Sequence, residues 1–125
     1  MKSPPFDIGI TTENAMYGLV QNPKASVAYE SAARENQTSM SNGSLMRITP
    51  LAVYTCKLTP ENSREVIDAD VLLTHPNKAC CDIIYMYCSS IHFLIKNADK
   101  PNRAQLAFDE AQKMVDSFEP YEYSG

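Results

Sequence analysis

The sequence has no block of lysine and arginine, and its formal net charge over 125 residues is −4. A basic surface that tracks phosphates is therefore excluded, and nucleic acid is not an expected partner. Polar residues interrupt every apolar stretch well short of a membrane span, so no membrane is expected either. The opening residues, MKSPPFDIG, have no apolar core and do not read as a secretory signal. The cysteines Cys56, Cys80, Cys81 and Cys88 form no C-x-x-C pair. They read as small apolar residues in reduced form, which points to a cytoplasmic compartment. H-E-x-x-H, G-x-x-x-x-G-K-[ST] and G-x-S-x-G are all absent. This removes the commonest zinc-protease, phosphate-loop and serine-hydrolase signatures. There is no internal repeat, no low-complexity tract and no strict alternation that would mark a strand.

What is present is helical patterning. Thr11 or Thr12 is expected to cap a short helix through Leu19. Asn22-Pro23 then reads as an N-cap and first helical position, opening a helix to about Glu35. Residues 36–44 are small and polar and read as a loop. A helix follows from Gly43 or Ser44, with Leu45, Met46, Ile48, Leu51, Ala52 and Tyr54 expected largely buried. Pro50 should kink that helix or restart it. Thr59-Pro60-Glu61 is a further start signal, with a hydroxyl cap and an acid near the positive helix end. The helix after Thr74-His75-Pro76 has the clearest rhythm, through Cys80, Ile83, Ile84, Tyr87, Cys88, Ile91, Leu94 and Ile95. A last helix is expected from Pro101, with Ala107, Phe108, Ala111 and Val115 in the same rhythm. The expected fold is an all-α multi-helix bundle of five or six helices in one domain spanning residues 1–125.

The carboxylates give no metal pattern. Asp68 and Asp70 sit two apart on a helix and point in different directions. Asp109 and Glu110 fall on the polar side of the last helix, and both pairs read as solvated faces. The candidate chemistry lies in polar turns at helix starts. Ser39, Ser41, Asn42, Gly43 and Ser44 can offer side-chain and main-chain donors, and Gly43 leaves the backbone open to close approach. Such a turn either holds a phosphate or ribose hydroxyl, or is simply the cap of a core helix. Arg47 either pairs with a carboxylate such as Asp7 or reaches a phosphate, the pairing being the favoured reading. His75 lies near a positive helix end that favours its neutral ring. It is either a ligand contact or an ordinary loop histidine. His92 is assigned no role.

Three segments in order, PFDIGITT (residues 5–12), SNGSLMRITPLAVY (41–54) and LLTHPN (72–77), resemble the ADP-ribosylglycohydrolase family. Its N-G-x-x-M-R core followed by proline, with T-H-P downstream, is matched at Asn42–Arg47, Pro50 and Thr74–Pro76. That family includes enzymes that remove ADP-ribose from modified proteins and a lens crystallin that reuses the fold. The resemblance implies an all-α fold and ADP-ribose or an ADP-ribosylated protein as partner. It also implies that Ser39, Ser41, Asn42, Gly43, Ser44 and His75 surround the nucleotide. Magnesium or manganese is the family cofactor, held by acidic motifs of D-D-T and D-T-D-T type. Neither motif occurs here, so the chain is expected to hold no cation and to hydrolyse no ADP-ribosyl bond alone. It reads as the middle of the family fold, with a non-catalytic nucleotide-binding or crystallin-like structural module as the alternative. Exposed apolar helix faces are expected to drive self-association.

Overall fold

The computed structural model describes residues 9–120, which form seven α-helices and no strand. Helix α1 is Ile10–Met16, followed by a 3-10 turn at Tyr17–Val20. Then come α2 (Ala25–Glu35), α3 (Gly43–Arg47), α4 (Thr49–Thr55), α5 (Pro60–Leu72), α6 (Lys78–Lys96) and α7 (Arg103–Ser117). The count exceeds the expected five or six because Pro50 restarts the chain. It sits in the first turn of α4, where its missing N–H costs no helical hydrogen bond, and Ile48 joins α3 to α4.

Several helix starts differ from expectation. Gly9, not Thr11 or Thr12, precedes α1, and it makes no side-chain cap. Helix α2 begins after Lys24 rather than at Asn22-Pro23, because Lys24 is still extended. Helix α7 begins at Arg103, two residues past Pro101. By contrast Thr59 caps α5 as expected, its hydroxyl accepting from the Asn62 N–H at 3.3 Å. Asn77 caps α6, its side-chain oxygen accepting from the Cys80 N–H at 2.9 Å.

The core is built where α3 to α6 meet. Ile48, Ala52, Ile67, Val71, Cys80, Cys81, Ile84 and Cys88 form one buried cluster, flanked by Leu45, Leu51, Tyr85 and Ile91. Helix α7 lies on α6, and α1 packs on α2 through the buried alanines Ala15, Ala28 and Ala32. Small residues there let the two helix backbones approach closely. Ion pairs reinforce the α5–α6 seam: Arg64 bonds Asp68 at 2.8 Å and also reaches Asp82, and its guanidinium lies over the Tyr85 ring. The solvated reading of Asp68 and Asp70 is therefore corrected. Residues two apart point to different neighbours, and each finds an arginine, Asp70 at Arg47 and Asp68 at Arg64.

Two apolar stripes are wider than the core that covers them. Met46 and Tyr54, expected buried, are 77% and 65% exposed. Ile83, Tyr87, Leu94 and Ile95 on α6, and Phe108 and Val115 on α7, are also exposed. Helical rhythm marks an apolar side, but the helices against α6, chiefly α4, α5 and α7, cover part of its girth. Among the described residues no helix is long and apolar enough to cross a membrane.

Candidate functional site

A cleft of about 530 Å³ opens between the start of α1 and the turn that leads into α3. Its walls are Gly9, Ile10, Thr11 and Thr12 on one side and Ser41, Asn42, Gly43 and Met46 on the other. The volume is in the range of small-molecule sites. Ile10 and Met46 are large and exposed here, which gives the cleft apolar walls beside its hydroxyls.

The loop from α2 to α3 is held from several directions. Asn36, 3% exposed, donates through its amide to the Thr11 carbonyl at 2.7 Å and to the Thr74 carbonyl at 3.0 Å. It thus ties α1, the end of α2 and the α5–α6 turn together. The Ser39 hydroxyl lies 2.6 Å from that of Thr11, and the Ser39 carbonyl accepts from the Asn77 amide at 3.0 Å. Asn77 therefore caps α6 and pins the loop with the same side chain. Sequence reasoning missed Asn36 and Asn77. Asparagine beside a helix end is the only local signal they carry, and the partners lie 25 to 38 residues away.

The six candidate residues come together, in unequal positions. Ser41 and Asn42 are exposed on the cleft, Gly43 is half-buried at its wall, and Ser39 sits half-buried behind it. Ser44 points inward: it is 1% exposed and its hydroxyl has no hydrogen-bond partner. His75 is fully buried behind the turn, with Nε2 2.9 Å from the Ser41 hydroxyl and Nδ1 2.6 Å from the Thr74 hydroxyl. An added Cβ on Gly43 would stand 3.1 Å from the Thr12 hydroxyl and 3.4 Å from His75 Cε1. Gly43 has no positive φ, so what a side chain would disturb here is the close approach of α1, where the Thr12 hydroxyl would have to give by a few tenths of an ångström.

Arg47 is paired with a carboxylate, that of Asp70. Its Nε donates to Asp70 Oδ1 at 3.0 Å, its Nη2 to the Asp70 carbonyl at 2.7 Å and its Nη1 to the Thr74 hydroxyl at 2.9 Å. Asp7 lies outside the described residues. Burial, and then the nearby Arg47 charge, lower the His75 pKa, partly offset by the contact with Ser41. The neutral ring expected from a helix end is thus favoured mainly by desolvation. Burial drives the Cys81 and Cys88 thiols up to about 12, as inert core groups. His92, given no role from sequence, bonds the Ala52 carbonyl at 2.8 Å and the Thr55 hydroxyl at 3.0 Å, tying α6 to α4.

The described residues offer no donor set for a divalent cation. No group of three or more His, Cys, Asp or Glu among them converges. Near the cleft, the Asp70 carboxylate is already engaged by Arg47. The arrangement of the described residues therefore does not fit a divalent cation.

The family model described as ADP-ribosylglycohydrolase matches residues 1–124. The chain belongs to the ADP-ribosylglycohydrolase family. A protein of Acanthamoeba polyphaga mimivirus, provisionally named ADP-ribosyl glycohydrolase L543, is 37% identical over 90 residues. That match covers 68% of this chain and 26% of the viral protein, so it spans about a quarter of the relative's length. No solved structure matches. The helical architecture agrees with the ADP-ribosylglycohydrolase fold class, and the family turn and its T-H-P segment are adjacent in space.

Proposed function

We propose that the cleft between α1 and the Ser41–Gly43 turn binds ADP-ribose, free or on a modified protein. In this reading the chain supplies the nucleotide-holding part of an ADP-ribosylglycohydrolase, and hydrolysis of the glycosidic bond needs cation ligands that these residues do not provide. The observation that carries it is the convergence of Ser41, Asn42 and Gly43 on a cleft of about 530 Å³ that also offers the hydroxyls of Thr11 and Thr12. Hydroxyl and main-chain donors suit diphosphate and ribose oxygens, while Ile10 and Met46 offer an apolar surface for a base.

Isothermal titration of the whole chain with ADP-ribose tests this. Binding is expected with or without magnesium. Asn42→Ala should weaken it by about 5- to 10-fold, the effect of losing roughly one hydrogen bond. Incubation with an ADP-ribosylated protein and magnesium should release no ADP-ribose. Absence of heat at millimolar ligand, or turnover above that of the Asn42→Ala protein, would overturn the proposal.

A further inference from the structure

The hydrogen bonds behind the cleft run in one direction, and that direction is set by Arg47. A guanidinium only donates, so the Thr74 hydroxyl accepts from Arg47 Nη1 at 2.9 Å. The two partners of that hydroxyl among the described residues are Arg47 and His75. Its single hydrogen is therefore directed at His75 Nδ1, 2.6 Å away. Nδ1 is then the bare nitrogen, and a neutral ring carries its proton on Nε2. Nε2 donates to the Ser41 hydroxyl oxygen at 2.9 Å. The Ser39 hydroxyl is 2.6 Å from that of Thr11 and 3.5 Å from the same Ser41 oxygen; with Thr11 donating to Ser39, the Ser39 hydrogen is left for Ser41. Both acceptor positions of Ser41 are then occupied from the protein side. What remains is its own hydrogen, and Ser41 lines the cleft.

We propose that the chain Asp70–Arg47–Thr74–His75 fixes the His75 tautomer and so makes Ser41 an obligate hydrogen-bond donor to the cleft. The ligand atom facing Ser41 is then a hydrogen-bond acceptor, such as a phosphoryl or carbonyl oxygen, and a group that can only donate is refused. Asp70 contributes by gripping Arg47 through both carboxylate and carbonyl, which leaves Nη1 aimed at Thr74. Arg47, Thr74 and His75 are positioning residues, since each acts through the next and none of them lines the cleft. The functional consequence rests on the cleft being the ligand site, while the tautomer itself does not.

Nitrogen-15 NMR of the histidine side chains in the ligand-free full chain decides the matter. At neutral pH His75 should show a bare, hydrogen-bonded Nδ1 and a protonated Nε2. Thr74→Ser should preserve that pattern, and Thr74→Val should shift Nδ1 by removing its donor. ADP-ribose affinity should fall by about 5- to 10-fold in Thr74→Val and stay within about 2-fold in Thr74→Ser. A proton on Nδ1 in the unaltered protein overturns the proposal, and that measurement needs no variant to fold. Thr74→Val binding as tightly as the unaltered protein would also overturn the link to Ser41. If the unaltered protein binds no ADP-ribose, the proposed function fails, and the spectrum alone still decides the tautomer.

Discussion

Replacing Arg47 with alanine tests whether this cation holds the fold together or waits for a ligand. Arg47 joins α3 to the end of α5 through three hydrogen bonds, to Asp70 Oδ1, the Asp70 carbonyl and the Thr74 hydroxyl. Its side chain is 30% exposed and that of Asp70 is 29% exposed. A fully buried bond to a charged group contributes about 1.5–3 kcal/mol, and an exposed ion pair about 0.2–1 kcal/mol. With partial exposure, about 1 kcal/mol for each bond is appropriate, or about 3 kcal/mol in total. Water entering the vacated space will rehydrate the freed acceptors, so the expected loss is about 2–3 kcal/mol. With a urea m-value of about 1–2 kcal/mol per molar, the unfolding midpoint should drop by roughly 1–3 M. Arg47→Lys keeps the charge but offers one compact donor head for three separated acceptors, so it should recover less than half of the loss. Asp70→Asn keeps the carbonyl acceptor, and a double-mutant cycle with Arg47→Ala should give a coupling of about 1 kcal/mol. If Arg47→Ala costs less than about 0.5 kcal/mol, the range of an ordinary surface change, the structural role is refuted and the phosphate-contact alternative returns.

Two other expectations concern stability. In Gly18→Ala, the new Cβ would sit 2.6 Å from Val27 Cγ1 and 3.5 Å from the Ser31 hydroxyl, at the seam of the 3-10 turn and α2. A loss of about 1–3 kcal/mol is expected in urea unfolding, with Val27→Ala relieving part of it in the double variant; additive costs would show that the contact is not the cause. Stability should also fall on acidification. The pKa of His75 is lowered by burial and by Arg47, and that of His92 mainly by burial, both below the ordinary value of 6.5. Between its folded and unfolded pKa, each ring binds fewer protons folded than unfolded. Its contribution is therefore complete above about pH 6.5 and declines as pH falls below that value, by at most about 1.4 kcal/mol per pH unit per histidine. Urea midpoints that stay flat between about pH 7 and about pH 5.5 would contradict this assignment.

Much of the architecture was legible in the sequence because helix signals are local. Thr59 before Pro60, the long apolar rhythm of α6, and Pro50 as a restart all depend on residues within a few turns of one another. The misread starts, at Thr11 or Thr12 and at Asn22-Pro23, fail for a related reason. A residue able to cap does so only if the chain enters the helix at that point, and Gly9 and Lys24 hold the extended backbone instead. Buried faces were less legible. Met46 and Tyr54 follow the same rhythm as Ile48 and Leu51, yet only neighbouring helices decide which of them is covered.

The sequence by itself determined that this protein is helical and that its family signature is the turn at Asn42–Arg47 with Thr74–Pro76 downstream. Periodicity, caps and motif spacing are properties of neighbouring residues. Tertiary structure alone decided that Arg47 meets Asp70, that Ser44 turns inward while Ser41 faces the cleft, and that Asn36 joins three segments. Those pairings join residues 23 to 38 positions apart, and their partners are chosen by how α1, α2 and α5 pack.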